Sequence, residues 1–436
     1  MRGTQTINEA NHLVIGGVDT TTLVKNYGTP LYVYDVADIR KKVQDFKDAF
    51  SSYPVTYKIA YASKAFSSVA MVQLAEELGL ALDVVSGGEL YTSLVAGYDP
   101  KHIHFHGNNK SEDELLLAID KKIGAIIVDN FTELQMVKKL SEERHQSVAI
   151  MLRMTPGIEA QTHEYIMTGQ EDSKFGFILM NGEVKEAIQY ALHSPTLKLL
   201  GVHSHIGSQI FGVDGFIQAV KRVVEHMAMW KEELGFVPDI LNIGGGFGIS
   251  YTKEEQPVAI QPFIGAIVEK ILSECAYHHL DVPEIWIEPG RSIVGEAGTT
   301  LYSVGTQKTI PNIRKYVSVD GGMTDNLRPA LYQAEYEALL ANRASDALEE
   351  QVAIAGKCCE SGDILIQDIA LPSVRAGDVL AVFCTGAYGY SMANNYNRLP
   401  RPAVVFVEEG QEQLVIKRET YEDLLQNDLA FQSAIK

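Results

Sequence analysis

Lys64 closes the run Tyr57-Lys58-Ile59-Ala60-Tyr61-Ala62-Ser63-Lys64-Ala65, an apolar stretch of strand character that delivers an amine at its C-terminal end. A lysine amine is protonated in water and becomes a nucleophile or Schiff-base former only where burial or nearby cations lower its pKa. Farther on, Gly244-Gly245-Gly246-Phe247-Gly248 follows another apolar run, and backbone N–H groups can close on a phosphate there because no Cβ intervenes. Ile249 stands where a dinucleotide fingerprint needs its next glycine, and no Walker lysine motif occurs. Glu288-Pro289-Gly290-Arg291 ends a third run. A carboxylate buried at such a strand end needs a cationic or hydrogen-bonding partner, and a pyridinium nitrogen or Arg291 would serve. His205-Ile206-Gly207-Ser208 offers a ring able to stack on a planar cofactor beside a hydroxyl able to donate to phosphate.

Each signal alone has a plainer reading: a solvated loop lysine, a tight glycine turn, a hydrogen-bonded core histidine. The adjacent Cys358 and Cys359 fit inert thiols or a proton donor equally well. His102, His104 and His106 alternate and could share a strand face around a metal, but no acidic or cysteine ligand accompanies them at diagnostic spacing, so no metal is expected. Taken together, an amine, a phosphate cradle, a stacking ring and a carboxylate for a ring nitrogen describe a pyridoxal-phosphate site.

The elements that would position these groups alternate in period from about Val36 to Val294. Strand candidates are 55–60, 81–85, 103–106, 125–129, 148–154, 199–205, 240–243 and 285–288, separated by amphipathic runs such as Ser67–Leu78 and Gly215–Leu234, each ended by glycine. Eight such units close into a parallel barrel, an α/β fold of the (β/α)8 TIM-like type. Lys64, His106, Arg153, His205, the glycine run and Glu288 then all fall at its C-terminal face, where barrels carry active sites and bind phosphate after their last two strands. Beyond Val294 the helical rhythm gives way to alternating β-branched runs, a second and mostly β domain. The reading is a barrel over 30–295 and a β domain from 1–29 and 296–436, with Leu13-Val14-Ile15 and Leu31-Tyr32-Val33-Tyr34 as runs that would join its sheet.

The 436 residues are 46% hydrophobic and 21% charged, enough for large cores, and the net charge of -19 opposes nonspecific nucleic-acid binding and favours a small-molecule partner. No run is long enough to span a bilayer, Met1-Arg2-Gly3-Thr4-Gln5-Thr6 lacks a signal-peptide core, and the four cysteines form no disulfide framework, so a cytoplasmic protein is expected.

The same residues carry a resemblance over nearly the whole chain: it resembles the diaminopimelate decarboxylase family, within the alanine-racemase-like class that includes ornithine decarboxylase. That resemblance implies a lyase that removes CO2 from an amino acid and makes lysine from diaminopimelate, with Lys64 in Tyr-Ala-Ser-Lys-Ala as the covalent attachment point of pyridoxal 5'-phosphate. It implies that His205 stacks on the cofactor and that Ser208, Gly244, Gly245, Gly246, Gly290 and Arg291 cradle phosphate. Glu288 is assigned to the ring nitrogen, and Tyr388 closes the cofactor site and also meets substrate. Arg291, Arg328, Tyr332 and Glu360 are implied to meet substrate, and Cys359 to be catalytic. Cys359 and Glu360 resemble a pair inserted by a second subunit, which implies a homodimer with shared sites. The stretch from Thr162 through Gly176 resembles the family's active-site loop. Lys357-Cys358 departs from the proline common in relatives, and register favours Cys359 over Cys358 as the inward residue. Decarboxylation of ornithine, lysine, arginine or carboxynorspermidine stays open, as does a noncatalytic regulator of the same fold. Arg328 speaks against the simple diamino acids, because a guanidinium suits a distal carboxylate and repels a distal cation.

Overall fold

The computed structural model describes residues 1–158 and 173–431. The chain forms two compact units, Ile39–Gly295 and, from both ends of the sequence, Met1–Asp38 with Glu296–Lys436.

In the first unit, strands Tyr57–Ala62, Ala81–Val84, Ile103–Phe105, Ala125–Val128, Val148–Thr155, Leu197–Ser204, Ile240–Asn242 and Glu284–Ile287 each pair in parallel with the next, and the last returns to the first. This is the eight-stranded parallel barrel that the alternation implied. The first strand begins at Tyr57 rather than Val55, because its register with the closing strand starts where Tyr57 meets Ile285. It therefore reaches Ala62, and Lys64 falls in the single turn Ser63–Ala65 beyond it. Ala125, Ile127, Met151, Ile240 and Trp286 pack together as a buried cluster of this unit. Helices start directly after strands because small polar residues stand at the switch: Ser68, Ser86 and Asn130 each accept a backbone N–H of the helix they open, and Ser111 with Glu114 completes a reciprocal capping box. Each cap contributes about 1 kcal/mol and fixes where the chain leaves the strand end.

The second unit holds a mixed sheet in the order Ile364–Leu371, Glu350–Ala355, Arg314–Val319, Gly298–Ile310, Leu31–Asp35, Ala403–Glu408, Gln411–Ile416, with Val379–Phe383 attached to the long fourth strand and Ala338–Leu340 paired to Val379–Phe383. Leu31–Asp35 joins this sheet as its sequence implied, antiparallel to Gly298–Ile310 and parallel to Ala403–Glu408, so the barrel unit begins at Ile39 rather than at residue 30. All five of its residues are buried, which explains why its pattern resembles a barrel strand. Leu13–Ile15, expected in the same sheet, forms a separate three-stranded one with Thr6–Ile7 and Val18–Asp19, while its Leu13 and Ile15 side chains enter the unit's core.

Candidate active site

Strand ends in the barrel unit bring together residues far apart in sequence. Lys64 Nζ donates to Asp83 Oδ2 at 3.3 Å; Asp83 is fully buried on the second strand, whereas the lysine side chain is 37% exposed. One residue past the last strand, Glu288 is 5% exposed and accepts from Asn242 Nδ2 at 2.6 Å on Oε1 and from His203 Nε2 at 3.0 Å on Oε2. His106 Nε2 lies 2.9 Å from Oε1 as well. Burial works to raise the Glu288 carboxyl, but the His106 ring, then the His203 ring and the contacts they make outweigh it and hold the group well below the ordinary carboxylate range.

The half-buried His205 accepts the Gly245 N–H on Nδ1 at 3.2 Å, which fixes the ring and requires that nitrogen to be unprotonated. Burial, followed by the nearby charges of Lys64 and Arg153, pushes its pKa well below that of a free imidazole, in keeping with a neutral ring. The glycine run has a structural origin that the sequence did not reveal: a Cβ on Gly245 would lie 2.0 Å from the Glu288 carbonyl, and Gly246 takes φ +99° with its would-be Cβ 2.2 Å from the Gly207 carbonyl. The loops after strands six, seven and eight thus press backbone on backbone. Arg291, 7% exposed, reaches Ser208 Oγ with Nε at 3.3 Å and Nη2 at 3.0 Å, and Tyr251 Oη with Nη1 at 2.5 Å. Gly290 sits against Ala62 and Ala65, which brings Arg291's loop beside the turn that carries Lys64.

These positions suit pyridoxal phosphate by the chemistry of their donors. An amine, a carboxylate kept ionised, a fixed neutral ring and a hydroxyl–guanidinium pair among glycine loops match the cofactor's aldehyde, ring nitrogen, ring face and phosphate. The three alternating histidines do not converge: His102 is exposed in a short turn, His104 stacks on Trp286 at 4.2 Å and only His106 reaches Glu288. Asp83, His203, Asn242 and Tyr251 were missed in the sequence. The available signal was a single polar residue inside each of the apolar strands Ala81–Val84 and Ile240–Asn242, and the two-residue spacing of His203 from His205, which puts both on one strand face.

In the second unit, the buried Arg328 opens the short helix Arg328–Tyr332 and donates to Tyr336 Oη at 2.7 Å; Tyr332, at its other end, is half-buried. Cys358 is buried, its backbone N–H on Asp363 Oδ2 at 2.8 Å, and burial followed by the Asp363 charge pushes its thiol up to about 12. Cys359 and Glu360 are exposed, and the Cys359 N–H is held by Asn397 Oδ1 at 2.7 Å. Tyr388 takes φ 56°, a left-handed conformation uncommon outside glycine, which a surrounding structure must enforce. Most of the stretch resembling an active-site loop, residues 159–172, lies outside the described residues.

A parallel barrel with this strand-end chemistry defines a pyridoxal-phosphate enzyme of the barrel type. Residues 36–295 match the pyridoxal binding domain of the pyridoxal-dependent decarboxylases, and the chain belongs to that family. It is 58% identical over 436 residues to the diaminopimelate decarboxylase of Bacillus subtilis, covering 100% of this chain and 99% of the relative, and 49% identical to that of Staphylococcus aureus, covering 97% and 98%. Among solved structures, diaminopimelate decarboxylase from M. jannaschii in complex with L-lysine superposes with a TM-score of 0.92 at 36% identity, covering 99% of each chain.

Proposed function

We infer that this chain is a carboxy-lyase that converts meso-diaminopimelate to L-lysine and CO2 with pyridoxal phosphate, the last step of lysine biosynthesis. The observation that carries this reading is full-length identity of 58% to a relative with that activity in its name, joined to a lysine, a held carboxylate and a glycine-walled arginine at one barrel end.

When bound, pyridoxal phosphate supplies the electron sink for the pair left on carbon as CO2 departs. Lys64 would hold the cofactor covalently through Nζ and is the amine that a substrate amine would replace, and Asp83, hydrogen-bonded to that nitrogen, would orient it. Glu288 presents the negative charge that favours a protonated ring nitrogen, an effect of roughly 1–3 pKa units. Ser208, Gly244, Gly245, Gly246, Gly290 and Arg291 would hold the phosphate end and His205 the ring face, and Tyr388 would contact the cofactor and substrate. Arg328 and Tyr332 grip the substrate's distal carboxylate, with Arg291 and Glu360 contacting the rest. Cys359 would supply the proton that replaces the lost carboxylate; its exposure favours it over the buried Cys358.

The reading includes a homodimer in which Cys359 and Glu360 enter the partner's site. Lys64→Ala and Cys359→Ala chains, mixed and reassorted at random, then make about half heterodimers with one intact site in two, and activity returns to about a quarter of wild type. Confirmed heterodimers no more active than either parent would reject the shared site. A cytoplasmic location agrees with four free thiols, the state a reducing compartment maintains; among the described residues no helix is long and apolar enough to cross a membrane. The substrate test supplies the holoenzyme with meso-diaminopimelate, ornithine, lysine and arginine and follows CO2 and product. Turnover of ornithine above diaminopimelate would replace the substrate, and no turnover of any would leave a noncatalytic regulator.

A further inference from the structure

Three side chains from three different strand ends converge on one buried carboxylate. His203 Nε2 is 3.0 Å from Glu288 Oε2, while His106 Nε2 and Asn242 Nδ2 are 2.9 Å and 2.6 Å from Oε1. His203 and His106 also pack edge to face, 4.9 Å between centroids, so each ring limits the other's rotation. The far nitrogen of His203, Nδ1, is enclosed and has no hydrogen-bond partner among the described residues. Its single proton in the neutral form therefore belongs on Nε2, where Glu288 accepts it. Burial pushes His203 down to about 4 against the pull of Glu288, so near neutral pH the ring donates as an uncharged group. Asn242 is fixed in turn, because its Oδ1 accepts the Gly244 N–H at 2.9 Å and leaves only the amide NH2 to face Glu288.

We propose that His203 is a positioning residue that, with Asn242, holds the Glu288 carboxylate through N–H donors as an oriented anion for the cofactor's ring nitrogen, and that His106, packed against His203 and close to Oε1, keeps the pair in place. They act through Glu288 and touch neither substrate nor the reacting carbon. A carboxylate enclosed this deeply and stripped of such donors takes up a proton at higher pH, because hydrogen bonds to the charged form are what offset its desolvation. The other charged or titratable groups around it are Asp83, 3.7 Å from His106 Nε2 and joined to Lys64; Glu89 behind His106; Arg153, itself 3.9 Å from Asp129; and the rings of His104 and His205. None of these is altered by replacing His203 or Asn242, so a shift on replacement reports the donors.

The inference rests on pyridoxal phosphate being the cofactor, and its test separates the two. His203→Phe keeps a ring of similar volume and removes the donor; His203→Gln restores an N–H. On holoenzymes, the bound cofactor's visible absorbance and kcat are both followed against pH, with cofactor content and thermal unfolding measured alongside. In His203→Phe the cofactor stays bound and KM changes little, but the acidic limb of kcat and the midpoint of the absorbance change both move up by about one pH unit or more, a tenfold or greater loss at the acid end. His203→Gln returns both to within about threefold of wild type. Asn242→Leu moves both in the same direction as His203→Phe and carries the test should that variant fail to fold. A limb and midpoint that stay at their wild-type positions in the folded variants, or a glutamine variant no better than phenylalanine, would overturn the proposal. The absorbance needs no substrate: a shifted band without decarboxylation rejects the substrate reading and keeps the donor cradle, and a wild-type protein that binds no cofactor rejects both.

Discussion

Two buried carboxylates, one in each unit, take opposite directions. Glu288 in the barrel is 5% exposed and Asp325 in the β unit 3%, so burial disfavours the charged form of both. Glu288 faces two imidazoles and an amide and stays well below the usual carboxylate range. Asp325 accepts from the Tyr302 hydroxyl at 2.5 Å and the Gly322 N–H at 2.9 Å, but burial outweighs these donors, the Asp363 charge adds to it, and its pKa is pushed up to about 7. The donor set, not the depth, decides which carboxylate works as an anion. In the barrel the donors keep a buried carboxylate charged, while in the β unit Asp325 braces the loop leading to Arg328.

If that division is right, changes at the barrel mouth abolish turnover and changes in the β unit reduce substrate use or stability. Lys64→Ala has the largest expected effect: covalent cofactor attachment and nearly all activity are lost, read by absorbance and CO2 release. Glu288→Gln comes next, retaining cofactor while kcat falls by about a hundredfold or more, since a neutral amide cannot favour the protonated ring. A kcat within about threefold of wild type would remove the distinction between the two carboxylates. Arg328→Ala lowers kcat/KM for diaminopimelate by roughly ten- to a hundredfold, about 1.5–3 kcal/mol for a charge-assisted contact, and leaves cofactor affinity unchanged. Equal losses in cofactor affinity would point to a folding role instead.

The smallest effect is on stability. Asp325 is raised in the folded state, so the stability it contributes is fully present below its unfolded value of 3.8 and is lost as pH rises through about 7. Asp325→Asn, which cannot titrate, should lose less stability than wild type between pH 4.5 and 7.5, a difference of a few kcal/mol at most. Parallel stability–pH curves for the two chains in urea unfolding would show that Asp325 is ionised throughout.

Much of the barrel was legible because several strands are short apolar runs followed closely by a capping Ser or Asn, a purely local pattern. Lys64, Glu288 and the glycine run stood out at strand ends for the same reason. Their partners did not, because Asn242 lies 46 residues and His203 85 residues from Glu288, and only closure of the barrel makes them neighbours. Leu31–Asp35 was legible as a strand of the second sheet because it has no barrel partner, but its neighbours Gly298–Ile310 and Ala403–Glu408 are a long-range fact that the local pattern does not carry. Cys358 and Cys359 are adjacent in sequence and separate only by burial, one buried and one exposed.

The claim that the barrel mouth carries the chemistry is tested most directly by locating the cofactor. The holoenzyme is reduced with borohydride, digested and mapped by mass spectrometry. A single pyridoxyl adduct is expected on the peptide containing Lys64, at close to one per chain, with none in Lys64→Ala. An adduct on Lys58, Lys110 or a lysine of the β unit, or full decarboxylase activity in a protein with no adduct, would contradict it.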